Sequence, residues 1–257
     1  MKALVLAAGM GERLRPLTDV TPKPMLELGG HPLIHYPLAM LRRAGITDVA
    51  INLHHLGAAI QRGLGDGSAL GLRITYAPEA VLLGTGGPLG GLRDFLGGDT
   101  FVIANSDTIL DLDLSAMLKF HRARSALATI ALFHPANLDY YSRLEIDAAQ
   151  KLRRMRLLAG RDPLRYDDYP PALDANLTAA LSPFMYCGVI VAEPAVLELI
   201  PPATRWSLME GLFAPMVASS KAVFGYVHTG YFRTMDDLKS FDALKAEFAA
   251  SSPPKMI

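Results

Sequence analysis

The run Lys2-Ala-Leu-Val-Leu-Ala-Ala-Gly9-Met-Gly11-Glu-Arg13-Leu-Arg15-Pro-Leu-Thr18, with Pro22-Lys23-Pro24 shortly after it, decides the fold. Residues 3–8 are apolar without alternation, the pattern of a strand buried on both faces. The strand stops at a glycine turn carrying Arg13 and Arg15, and Lys23 follows on proline-stiffened backbone that cannot be helical. A strand ending in a Gly-rich loop turns several backbone N–H groups toward one point, an arrangement that grips phosphate. Cations around that point imply a ligand with more than one phosphate, a nucleoside triphosphate. The turn lacks the third glycine of a GxGxxG dinucleotide loop and the Gly-Lys-Ser/Thr ending of a Walker A loop.

Working outward, 257 residues with 51% hydrophobic content suit one undivided α/β domain over residues 1–250, with 251–257 as a disordered tail. Zero net charge argues against a nucleic-acid or membrane surface. The single cysteine, Cys187, excludes an internal disulfide. Lys2 enters the first strand with no signal-peptide layout, no apolar stretch is long enough to cross a bilayer, and the expected compartment is the cytoplasm.

Strand and helix patterns alternate, as in a mostly parallel sheet covered on both faces. Strands are expected at 49–53, 72–76, 101–104 and 128–133, and helices at 32–44, 57–64, 86–96 and 114–124. From residue 134 to 183 the rhythm breaks into Tyr, Arg, Asp and Pro, with one strand at 143–146, and this stretch reads as a substrate-facing insertion. Strands return at 184–191 and 223–227. Ser207 with Glu210 resembles a capping box opening a helix, and a last helix covers 237–249.

The first motif, with Gly29-Gly-His-Pro-Leu-Ile34, Gly84-Thr-Gly-Gly-Pro-Leu89, Asn105-Ser-Asp107 and Phe184-Met-Tyr-Cys-Gly188, resembles the signature of sugar-1-phosphate nucleotidyltransferases. The resemblance covers most of the chain in the family's order. It implies a Rossmann-like three-layer α/β/α sandwich with a mixed, mostly parallel central sheet. It also implies synthesis of an NDP-sugar and pyrophosphate from an NTP and a sugar 1-phosphate, as a monomer or small homo-oligomer. With no C-terminal β-helix pattern, the chain is most similar to compact members such as N-acetylmuramate 1-phosphate uridylyltransferases and mannose or heptose 1-phosphate guanylyltransferases.

By that resemblance Leu6, Ala8, Gly9 and Gly11 hold the nucleotide with Gly84, Thr85 and Gly86. Arg13 neutralises the departing pyrophosphate and Lys23 the α-phosphate. Asn105 and Gly188 serve the sugar phosphate. Asp107, after a strand, holds Mg²⁺, a hard cation suited to carboxylate and phosphate oxygen. One departure concerns the second metal aspartate of the family's Trp-x-Asp-x-Gly-Thr-like string. The matching Phe232-Arg-Thr-Met-Asp-Asp237 places Thr234 there, leaving Asp236 or Asp237 to supply the carboxylate. The alternatives are a silent nucleotide-sugar-binding regulatory subunit, or a phosphocholine-type cytidylyltransferase with an aromatic cage from Tyr140, Tyr141, Tyr166, Tyr169 and Tyr186.

Several residues read as structural. His54, His55, His121 and His134 lack metal-ligand spacing. The Lys151–Arg156 run reads as the solvated face of an edge strand. Cys187 reads as a packed thiol, Trp206 as a packing aromatic or part of the sugar pocket, and Arg15 as a surface cation closing onto Asp19 or Asp66.

Overall fold

The computed structural model describes residues 1–139, 141–159, 165–202, 204–250 and 256–257. Along the chain the strands are β1 (Lys2–Leu6), β2 (Glu27–Leu28), β3 (His31–Pro32), β4 (Asp48–Leu53), β5 (Arg73–Pro78), β6 (Phe101–Asn105) and β7 (Ile109–Leu110). They continue as β8 (Ala128–Phe133), β9 (Arg143–Ile146), β10 (Leu152–Leu158), β11 (Tyr166–Tyr169), β12 (Ser182–Ala192), β13 (Val223–Val227) and β14 (Phe232–Arg233).

The apolar run at the N-terminus forms the centre of the sheet. β1 pairs parallel with β4 on one side and β6 on the other, and β5 extends the row beyond β4. β12 then lies antiparallel between β6 and β8, and β13 adds parallel to β8. The sheet is therefore mixed and mostly parallel. Successive residues of one strand feed opposite cores: Ala3 and Val5 pack on one face with Val102 and Val189, and Leu4 packs on the other with Ile103 and Ile190. Apolar side chains on both faces leave such a strand no solvated side, so it takes an interior position. A third cluster, with Leu14, Leu26, Leu28, Met235 and Phe241, sits beneath the first loop and binds the C-terminal helix Leu238–Ala250 to it.

Some expectations are corrected. Lys23–Met25 makes one 3-10 turn, because Pro24 at its start needs no amide there. The helix expected over 86–96 is two pieces, Gly87–Gly91 and Arg93–Leu96; at Gly90 a Cβ would lie 2.9 Å from Pro201 O, so backbone crowds the break. The arginine-rich run is no edge strand: β10 lies between β9 and β11, with Leu152, Met155 and Leu157 buried. Its arginines are neutralised by neighbours, Arg153 by Asp147, Arg154 by Glu145 and Arg156 by Asp168. Residues 251–255 of the expected tail lie outside the described residues, but Met256 is buried in the third cluster.

The three strands β9, β10 and β11 join the main sheet through the first residues of β12. Ser207 Oγ accepts from Glu210 N–H at 3.2 Å and opens the helical segment Leu208–Phe213, as the capping pattern predicts. Cys187 is buried in β12, and burial pushes its thiol well above the ordinary range. An aromatic disulfide reagent at pH 8 should therefore modify no thiol in the native protein and one per chain in denaturant. Rapid modification of the native protein would contradict the packing of β12.

Candidate active site

β1 delivers the chain to the carboxyl edge of the sheet, where it turns at Gly11 with φ 65°. A Cβ there would also lie 2.8 Å from Thr18 Cγ2, so both backbone and space call for glycine. The loop is clamped from several elements. Asn52 Oδ1 accepts from Ala7 N–H at 2.8 Å, Thr18 Oγ1 donates to Gly11 O at 2.9 Å, and His55 Nε2 lies 2.7 Å from Thr18 O. Among the described residues, the amides of Ala8, Gly9 and Met10 donate to no protein acceptor. Unpaired donors on a braced loop are what an anion requires.

Asn52 extends the clamp to a second loop. Its amide donates to Glu79 Oε1 at 2.7 Å, and Glu79 Oε2 accepts from Leu83 N–H at 2.8 Å. That loop is zipped to the segment preceding Leu208. Trp206 N–H donates to Leu83 O at 2.9 Å, Gly86 N–H to Trp206 O at 2.8 Å, and Leu208 N–H to Thr85 Oγ1 at 2.9 Å. At Gly84, with φ 75°, a Cβ would lie 2.7 Å from Trp206 O. The glycines here serve this close backbone approach. Trp206 is a packing aromatic, its indole set against Gly86 and Gly211.

Two cation–carboxylate pairs face the first loop. Lys23 Nζ pairs with Asp107 Oδ2 and donates to Met235 O at 2.7 Å. Arg13 pairs with Asp236 at 3.1 Å. Asp236 is free for this because its neighbour caps the last helix: Asp237 Oδ1 accepts from Ser240 N–H at 2.8 Å. Those bonds, first the backbone one from Ser240, hold the Asp237 carboxyl below its usual range.

A cavity of about 270 Å³ is lined by Leu6, Ala8, Gly9, Gly11, Lys23, Gly84, Thr85, Asn105 and Asp107, together with Asn52. A wider cleft of about 610 Å³ shares Gly9, Gly11, Lys23, Leu82 and Asp107 with it and adds Arg13, Arg205 and Asp236. Most of the expected site residues thus converge. Gly86 and Gly188 are on neither wall; at Gly188, with φ 92°, a Cβ would overlap Thr108 Oγ1, and this contact accounts for the glycine. Thr234 is likewise absent from both walls, and within the 234–237 segment it is Asp236 that lines the wider cleft.

Sequence reading missed Asn52, Thr18 and His55. The available signal for Asn52 was an amide inside an otherwise apolar strand, Val49 to Leu53. Of the other histidines, His54 Nδ1 lies 2.9 Å from Glu79 O, buried His121 bonds Thr129 and Glu193, and His134 packs edge-on to Phe184. Among the described residues, no group of three His, Cys, Asp or Glu side chains converges as a metal site. Among the described residues the expected tyrosines form no cage either. Tyr141 packs against one core, Tyr169 and Tyr186 against the other, and Tyr166 lies against Arg143 and Arg156; Tyr140 lies outside the described residues. Arg15 pairs with Asp19 at 3.2 Å.

A braced loop with open amides at the carboxyl edge of a mixed α/β sheet, facing paired cations and carboxylates, defines an α/β protein whose crevice offers donors and cations to an anion. The chain belongs to the nucleotidyl transferase family, whose model matches residues 2–156. It is 50% identical over 117 residues to an N-acetylmuramate alpha-1-phosphate uridylyltransferase of Neisseria meningitidis, covering 45% of this chain and 51% of that protein. It is 30% identical over 253 residues to a mannose-1-phosphate guanylyltransferase of Mycobacterium tuberculosis, covering 98% of this chain and 66% of that protein. The chain thus spans between half and two thirds of the length of these curated relatives. Its fold is that of HddC from Yersinia pseudotuberculosis, at TM-score 0.74 and 18% identity over 96% of this chain and 99% of the other.

Gly9 and Gly188 separate ligand space from packing. Nothing lies within 4 Å of a Cβ at Gly9, which lines both cavities. Gly9→Ala should keep the wild-type melting temperature and weaken NTP binding by filling ligand space. Gly188→Ala should cost roughly 1–3 kcal/mol of stability through overpacking. Thermal melts with nucleotide titrations check both, and the reverse pattern would reject the assignment.

Proposed function

We propose that this protein transfers a nucleotidyl group from an NTP to a sugar 1-phosphate, releasing pyrophosphate. What carries the reading is a single arrangement. The open amides of Ala8, Gly9 and Met10 share one cleft system with the Lys23–Asp107 and Arg13–Asp236 pairs. The sugar-phosphate oxygen attacks the α-phosphorus in line as the bond to the bridging oxygen of pyrophosphate breaks. Little covalent work falls to the protein, so positioning and charge neutralisation supply the rate.

In this reading the open amides hold the triphosphate and Lys23 stands at the α-phosphate. Arg13, more exposed and further along the loop, meets the leaving pyrophosphate. Gly84 and Thr85 line the nucleoside end, and Asn105 orients the sugar phosphate. The insertion over 134–183 faces the sugar side.

Asp107 and Asp236 are hard oxygen donors lining one cleft, and Mg²⁺ takes one or two carboxylates with water and phosphate oxygens completing its shell. The donor set fits Mg²⁺, which when bound would neutralise phosphate charge and polarise the α-phosphoryl group. Among the described residues no helix is long and apolar enough to cross a membrane. We place the reaction in the cytoplasm, where nucleoside triphosphates are made.

Pyrophosphate release, assayed across the common NTPs, a panel of sugar 1-phosphates and phosphocholine, should single out one NTP–sugar pair. Nucleotide binding with no release from any pair would favour a silent regulatory subunit. Lys23→Ala should lower kcat/KM at least about 100-fold with the fold intact. Asp236→Asn should raise the Mg²⁺ concentration for half-maximal activity, and Thr234→Asp should leave it unchanged. A shift with Thr234→Asp alone would move the second carboxylate's place in the site.

A further inference from the structure

Of the three cations lining the wider cleft, two are already neutralised within the protein, Arg13 by Asp236 and Lys23 by Asp107. The third, Arg205, makes no ion pair among the described residues. An unpaired arginine at a cleft wall has full capacity for an anion. It is also held in place, since the next residue bonds through both its amide and its carbonyl to Leu83 and Gly86. Loss of side chains at Gly84 and Gly86 lets this segment lie tightly against the second loop. The cation is therefore presented by braced backbone.

Its position selects which part of the ligand it meets. Arg205 lines the wider cleft, as do Met10 and Arg13, and is absent from the narrower cavity with Asn105, Gly84 and Thr85. In the nucleotidyl-transfer reading the nucleoside and sugar phosphate take the narrower cavity, and the β- and γ-phosphates the wider one. We propose that Arg205 is a second cation for the β,γ-diphosphate group, adding to the lining of the wider cleft a guanidinium from a segment far along the chain from the first loop, to grip the pyrophosphate that departs. This rests on the nucleotidyl-transfer reading above and adds a residue to it. Two arginines from separate chain segments would then meet the leaving group, so that charge gathering there is neutralised by two guanidinium groups.

Calorimetric titrations of the full chain with inorganic pyrophosphate, the preferred NTP and the matching nucleoside monophosphate test this. Arg205→Gln should weaken pyrophosphate and NTP about ten-fold, as for loss of a charge-assisted contact, and leave the monophosphate within about two-fold. Arg205→Lys should recover part of the loss, and the melting temperature should be unchanged because the side chain is exposed and makes no ion pair among the described residues. Equal loss for monophosphate and NTP, or unchanged pyrophosphate affinity, would overturn the role of Arg205. Wild-type protein that binds no NTP would remove the nucleotidyl-transfer reading itself and this assignment with it.

Discussion

Strand β1 has no face left for water, and the site follows from that constraint. Ala3, Leu4 and Val5 are wholly buried, so β1 can lie only inside the sheet, between β4 and β6. The chain must then leave at the carboxyl edge, between the ends of two neighbours. Those neighbours supply what the loop needs: β4 ends near Asn52, which caps Ala7, and β6 leads into Asp107, which pairs with Lys23. In open α/β sheets the crevice outside the carboxyl ends of the strands is where ligands bind. Here it is assembled by the same burial that orders the sheet.

The loop's stiffness comes from polar contacts as well as packing. Asn52 is buried and uses both ends of its amide, toward Ala7 and toward Glu79, and Glu79 passes the connection to Leu83. A buried amide satisfied on both sides is worth more as an orienting device than as a source of stability. It fixes the distance between two loops that would otherwise move independently on the surface. Beneath the first loop a small separate core, with Leu14, Leu26 and Met235, joins it to the C-terminal helix. That joint brings Asp236 to Arg13 across most of the chain's length.

Charge at the site is arranged in reserve. Lys23 and Arg13 are held by carboxylates from distant segments, which keeps two cations ordered without leaving a patch of unbalanced charge. The Lys23–Asp107 pair is largely screened from solvent, whereas Arg13 and Asp236 are much more open. Contacts of the second kind contribute little to stability and are readily exchanged for a ligand.

The sequence by itself determined the central strand, the glycine turn and the alternation of strands and helices, and it singled out the cations Arg13 and Lys23. These are local: an apolar run, a turn that needs positive φ, and cations at short spacing each leave a mark in consecutive residues. The same locality explains what went unread. β10 looked like an edge because its arginines are charged, and only the partners Asp147, Glu145 and Asp168 reveal that they are neutralised inside the sheet. Asp236 could not be separated from Thr234 or Asp237 until the helix cap took Asp237. The roles of Asn52, of the glycines against Trp206, and of Gly188 against Thr108 were decided by tertiary structure alone, because each depends on the close approach of segments far apart in the chain.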